Sequence, residues 1–169
     1  MSVEPAPAPT VKLFLSWYSG DRELKEDLVN RLRVRLRIEK GINFEWWDDS
    51  ELSLGENWKA QLRAHVAKAD YVLQFLSPGF LASEIIEEIE LQKEDGSELK
   101  FLPVQLVYVD PQDKNIDWKG LDELQQFFSS GRSYEQTPSN ERNAFVDALV
   151  RKIRARVLTT DGTTNWSKA

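Results

Sequence analysis

The run Val11-Lys12-Leu13-Phe14-Leu15-Ser16-Trp17 carries apolar side chains at neighbouring positions, which a strand with one wet face cannot do. It predicts a strand covered on both sides, and the chain supplies the covers. Asp21 to Ile38 reads as a helix, with Leu24, Leu28, Leu32 and Leu36 at spacing four and Gly41 as its stop. A second strand, Ile42 to Trp47, runs into the loop Asp48 to Gly55, and a helix follows over Glu56 to Lys68. Asp70 to Ser77 is a third strand, and Ser77-Pro78-Gly79-Phe80 a turn into a helix from about Ser83 to Glu94. Asp95-Gly96-Ser97 turns the chain into a fourth strand, Phe101 to Val109. Gln112 to Tyr134 is mixed, Leu121 to Phe128 reading as either a short helix or a late strand. Asn140 to Leu158 closes the domain as a helix with Phe145, Leu149 and Ile153 at spacing four.

Strands alternating with helices in this way give an α/β doubly wound parallel sheet with helices on both faces. The expected form is flavodoxin-like, with about five strands in the order 2-1-3-4-5. In such sheets ligands bind beyond the carboxyl ends of the strands, where the strand order reverses. With that order the crevice lies between the first and third strands, bounded by Trp17 to Asp21 and Ser77 to Ser83. The domain is expected over residues 11–158, behind a disordered Pro/Ala leader at 1–10 and ahead of a polar tail or linker at 159–169.

Composition removes several function classes. The 169 residues contain no Cys and a single His, His65, so neither a thiolate site nor a His-based triad can form, and no metal is expected. There is no G-x-x-x-x-G-K-[ST] phosphate loop, no G-x-G-x-x-G after a strand and no G-x-S-x-G elbow. The net charge of −6 opposes nucleic-acid binding. Arg31, Arg33, Arg35 and Arg37, the densest basic stretch, fan around a helix rather than lining one face. No apolar run approaches the roughly 18 residues of a membrane span, and no secretory layout opens the chain, so a cytoplasmic location is expected. Chemistry is left to carboxylates, hydroxyls, aromatics and backbone.

Four segments, in order, resemble bacterial TIR (Toll/interleukin-1 receptor) domains. Phe14-Leu15-Ser16-Trp17-Tyr18-Ser19 with Asp21 is similar to the first box of that family. Trp47-Asp48-Asp49 followed by Leu52 to Gly55 and Trp58 is similar to the segment around its BB loop. Ala69-Asp70 leads into Leu76-Ser77-Pro78-Gly79-Phe80-Leu81-Ala82-Ser83, and Leu102-Pro103-Val104 resembles a later strand. The resemblance spans roughly Val11 to Val157. Trp17 stands where many relatives have Tyr, Leu54-Gly55 where receptor and adaptor members have Pro-Gly, and no Cys follows Ser83. The second of these changes favours the bacterial enzymes.

The resemblance implies an NAD⁺ nucleosidase, either hydrolase or cyclase, acting in antiphage defence, with a catalytic glutamate on the helix after Ser83. That helix offers Glu84, Glu87, Glu88 and Glu90. At about 100° per residue, Ile85, Ile86 and Ile89 form a stripe, Glu87 lies opposite it, and Glu88 and Glu90 lie on its two flanks. Alignment with Ser83 favours Glu90, with Glu88 as the alternative; a shorter spacing found in some relatives would land on Ile89. The resemblance further assigns Trp17, Tyr18 and Phe80 to stacking on the dinucleotide, Ser19, Gly79 and Ser83 to hydrogen bonding it, and Trp47 and Asp48 to closing the site. It implies NAD⁺ as substrate with no cofactor, self-assembly through the BB loop into an oligomer or filament, and a sensor domain or protein as a further partner. A non-catalytic TIR–TIR interaction module is the principal alternative, and a deoxyribosyltransferase-like enzyme on the same sheet is a third.

Overall fold

A computed structural model of the chain describes residues 8–48, 57–91, 100–119, 121 and 126–158. Four parallel strands form one sheet in the order β2-β1-β3-β4, made by β1 (Thr10–Ser16), β2 (Asn43–Asp48), β3 (Tyr71–Leu76) and β4 (Phe101–Gln105). This is the flavodoxin-like order expected, with β1 inside and the switch point between β1 and β3. The fifth position is held by a single parallel bridge, Val104 to Phe127. Phe127 N–H donates to Pro103 O at 2.8 Å and Phe127 O accepts from Gln105 N–H at 3.1 Å. Residues 122–125 lie outside the description, so the expected fifth strand is represented by that bridge alone.

Both faces of the sheet are covered. On one side Leu13, Leu15 and Trp17 of the β1 segment pack with Leu28, Leu32 and Leu36 of α1 (Arg22–Arg37) and Phe145, Leu149 and Ile153 of α5 (Arg142–Leu158). On the other, Phe14 and Val72 meet Leu62 and Val66 of α2 (Trp58–Lys68), Phe80 of α3 (Pro78–Ala82) and Ile86 of α4 (Glu84–Leu91). The leucine row of α1 and the spacing-four row of α5 therefore face the same layer, as their periodicity requires.

Several boundaries differ from the sequence reading for local reasons. β1 starts at Thr10, because Pro9 O already accepts Asn43 N–H at 2.9 Å. β4 stops at Gln105, not Val109: Leu106 and Val107 both donate to Leu76 O at 3.0 Å, and two donors on one acceptor break the ladder. The Gln105 carboxamide then takes over, accepting from Val109 N–H and donating to Val109 O, each at 3.1 Å. The turn after β3 is the short helix α3. α1 ends at Arg37 with Ile38 as its C-cap, ahead of the stop expected at Gly41; Gly41 instead takes the left-handed region, at φ 85°, in the bend that leads into β2.

Asp70, expected as the first residue of β3, instead lies just outside it. Its carboxylate accepts Lys12 N–H at 2.8 Å while its own N–H donates to Lys12 O at 2.8 Å, so it sets the register in which β3 enters beside β1.

Polar contacts fasten α1 on two sides. Lys25 is buried, its Nζ 3.0 Å from Asp48 Oδ2 at the end of β2 and 4.2 Å from the Trp17 ring centroid. On the far side Asp27 accepts from the buried Tyr134 hydroxyl and from Arg142 Nη1 at 3.1 Å. Arg31 meets Asn143 at 2.8 Å and Arg35 meets Asp147 at 2.9 Å. Two of the four clustered arginines thus serve helix packing, and none of these contacts needs an external polyanion.

Both partners of the Lys25–Asp48 pair are nearly inaccessible, so removing one of them takes the ion-pair partner from a buried charge. Lys25→Met should cost about 3–5 kcal/mol in urea denaturation, and adding Asp48→Leu should recover most of that loss. Burial pushes the Asp27 carboxyl up, but the hydrogen bond from Tyr134 and the charges of Arg31 and Arg142 outweigh it and hold it below the usual carboxylate range. A depressed native value contributes stability above the unfolded value and loses it as pH falls through the native one. Acid titration of stability should therefore steepen below the ordinary Asp range, and Tyr134→Phe should flatten that limb.

Candidate functional site

The two loops at the switch point are joined directly. After β1 the chain passes Trp17 and Tyr18 into a turn of 3-10 helix, Ser19–Asp21, closed by Asp21 N–H donating to Tyr18 O at 2.9 Å. After β3, Ser77 stands as the N-cap of α3: its Oγ accepts Phe80 N–H at 3.0 Å, its carbonyl accepts Leu81 N–H at 3.0 Å, and Pro78 fills the first helical position. The Ser77 hydroxyl in turn donates to the Asp21 carboxylate. Burial pushes the Asp21 carboxyl up, and the Ser77 hydrogen bond opposes that only in part.

Tyr18 lies across this junction. A Cβ at Gly79 would fall 2.3 Å from its ring, and one at Gly20 2.5 Å from it. Neither glycine has a positive φ. What both positions require is the absence of a side chain, so that the ring can rest on bare backbone from two loops at once.

The expected binding residues divide between crevice and core. Tyr18, 37% exposed, and Ser19 and Gly79 sit at the junction. Trp17 and Phe80 are buried in the two opposite core layers, with Lys25 and Arg22 over the Trp17 ring. Ser83 donates its hydroxyl to Phe80 O at 2.7 Å and closes α3. Asp48 is held by Lys25. Trp47 packs with Phe14 and His65, at centroid separations of 6.2 and 5.6 Å, and His65 stacks on Phe14 at 5.5 Å. The lone histidine is thus a packing group. The remaining BB-loop residues, 49–55, lie outside the description.

On α4 the described carboxylates have distinct roles. Glu88 is buried against α2, its Oε1 2.7 Å from Arg63 Nε. Glu87 is exposed, as helical geometry predicts, and takes Lys119 Nζ at 3.3 Å. Lys119 itself sits in the left-handed region, at φ 53°. Ile86 is buried, and Glu84 is exposed. The side chains of Ile85, Ile89 and Glu90 lie outside the description; Glu90 is the penultimate residue of α4, about 200° around the axis from Glu88. Among the described residues no cluster of His, Cys, Asp and Glu could hold a metal ion, and no helix is long and apolar enough to cross a membrane.

A family model for the TIR domain matches residues 13–138, which runs from β1 through both junction loops to the approach of α5. The chain belongs to the TIR domain family. No curated protein matches it. TIR domains serve in signalling and in NAD⁺ cleavage, and they associate with other TIR domains. The conserved-looking boxes of this TIR domain acquire physical roles here: Asp21 and Ser77 are one hydrogen bond, Gly20 and Gly79 are one aromatic cradle, and Ala69-Asp70 is a register clamp. Sequence reading gave Asp21 and Ser77 as ends of the two crevice loops without a role of their own, and passed over Arg63. That the first two meet in a hydrogen bond could not be read from their separate boxes. Arg63 carries no linear signal, since 25 positions separate it from Glu88.

Arg63→Ala should lower stability by about 1–3 kcal/mol, the cost of a buried acceptor that loses its charged donor, reduced because Arg63 is itself half in water. Thermal denaturation measures it, and Arg63→Ala with Glu88→Leu should be closer to wild type than Arg63→Ala alone.

Proposed function

We propose that this TIR domain cleaves the nicotinamide–ribose bond of NAD⁺, with the Glu90 carboxylate as the catalytic group. The observation that carries this reading is the division of labour on α4. Glu88, the rival candidate, is taken up by Arg63 against α2, and Glu87 faces solvent and Lys119. Glu90 lies further along the same helix, which begins two residues after the cradle helix α3 ends. The exposed Tyr18 at the adjoining junction supplies a flat apolar surface for a ring of the dinucleotide.

One carboxylate suffices for this chemistry. Nicotinamide leaves from its cationic form as a neutral molecule, so the departing nitrogen needs no proton. Positive charge builds instead on the ribose, and a fixed anion beside it stabilises the transition state more than the ground state. Water captures the ribosyl cation to give ADP-ribose; a hydroxyl of the same nucleotide gives a cyclic product. The protein acts as a prokaryotic immune effector whose activity depends on self-assembly through the BB loop, NAD⁺ being substrate and no cofactor being needed. A non-catalytic TIR–TIR interaction module is the second reading, favoured by the burial of Trp17 and Phe80, which leaves Tyr18 as the one exposed aromatic of the three assigned to stacking.

Glu90→Gln should reduce NAD⁺ cleavage by about 10²–10³-fold with a thermal midpoint close to wild type. Retention of activity in that variant would remove Glu90 from the chemistry. Wild-type specific activity should rise with protein concentration, and a value independent of concentration would argue against shared sites. An absence of cleavage at every concentration would leave the interaction module.

A further inference from the structure

We infer that Asp21 is a positioning residue: by accepting the Ser77 hydroxyl it locks the loop after β1 to the turn before α3 and so fixes Tyr18 across Gly79 as one wall of the crevice. This rests on the proposed NAD⁺-cleaving site, but names a residue that acts through another rather than on the substrate. Three observations converge on it. Ser77 is 1% exposed, and its Oγ already accepts Phe80 N–H, so its proton has to be taken by a neighbouring group; Asp21 takes it. Asp21 N–H closes the 3-10 turn onto Tyr18 O, so a shift of Asp21 moves the backbone that carries Tyr18. The ring in turn rests on Gly20 from one loop and Gly79 from the other. A carboxylate that burial pushes toward protonation is a costly choice for a mere tether, which an amide would make without a charge to desolvate. What the anion adds is a stronger acceptor for a single hydroxyl.

Two readouts test the lock, hydrogen exchange and steady-state kinetics, on assembled protein. Asp21→Ala should speed amide exchange in the segment 77–82 while leaving α5 unchanged. It should raise KM for NAD⁺ roughly three- to tenfold, the worth of one aromatic wall, at nearly constant kcat. A merely structural loss would do the opposite, lowering apparent kcat through a smaller folded fraction and sparing KM. Asp21→Asn, which keeps an acceptor but a weaker one, should restore the KM only in part. Asp21→Ala combined with Tyr18→Ala should be no worse than Tyr18→Ala alone, because the first residue acts through the second. Gly79→Ala, which displaces the ring without touching Asp21, should reproduce the KM rise even if Asp21→Ala does not fold. Unchanged exchange in Asp21→Ala, additive KM effects in the double variant, or a pure kcat loss would each overturn the inference. If wild type cleaves no NAD⁺, the proposed function falls, and the exchange result alone decides whether the lock exists.

Discussion

A parallel strand buried on both faces must be roofed twice, and β1 imposes that demand on the whole molecule. Its two neighbours, β2 and β3, pair with it in parallel, so each connection has to cross the sheet through a helix. Right-handed crossovers then send α1 to one face and α2 to the other. The reversal of strand order beside β1 is a consequence of the same geometry, and so is the position of the two junction loops. The site is therefore set by the central strand before any side chain in it is chosen.

The polar groups that hold this arrangement are few and sit at seams. Lys25 and Asp48 join α1 to the end of β2, Asp70 holds β3 to β1, and Arg63 with Glu88 joins α2 to α4. In each case one partner is an acid whose backbone belongs to a strand end or helix face, so the hydrophobic layers are located by directional contacts that apolar packing lacks. The acidic balance of the chain does not reflect a diffuse solvated surface alone; several of its carboxylates are structural.

Much of the fold was legible in the sequence because it depends on periodicity. The leucine row of α1, the two-faced β1 and the spacing-four row of α5 state which side is inside, and the structure uses them so. What periodicity cannot state is where a ladder is interrupted. β4 ends early because Leu106 and Val107 share one carbonyl and Gln105 substitutes its side chain for the next strand residue, and Gln105 looks no different in sequence from any polar strand position. The crevice was legible in outline for the same reason, since loop positions follow from strand order. Its fine division was not: Trp17 and Tyr18 are adjacent aromatics, yet the pleat turns the first into the core and the chain leaves the second at the surface. Similarly Glu88 and Glu90 flank the same stripe in the sequence, and the pairing of Glu88 with Arg63 depends on the placement of α2, a tertiary fact.

The junction of Tyr18, Gly79, Asp21 and Ser77 also bears on the ease with which this end of the domain opens. Asp21 and Ser77 are 56 residues apart, and the pairing of β1 with β3 is what brings their two loops side by side. The junction is thus a long-range contact laid on the sheet rather than part of its ladder. Loops joined in this way can separate while the strands stay paired, at a free energy below that of global unfolding. The crevice is then open to being tuned by whatever docks against it, because ordering it requires only two loops and leaves the core at rest.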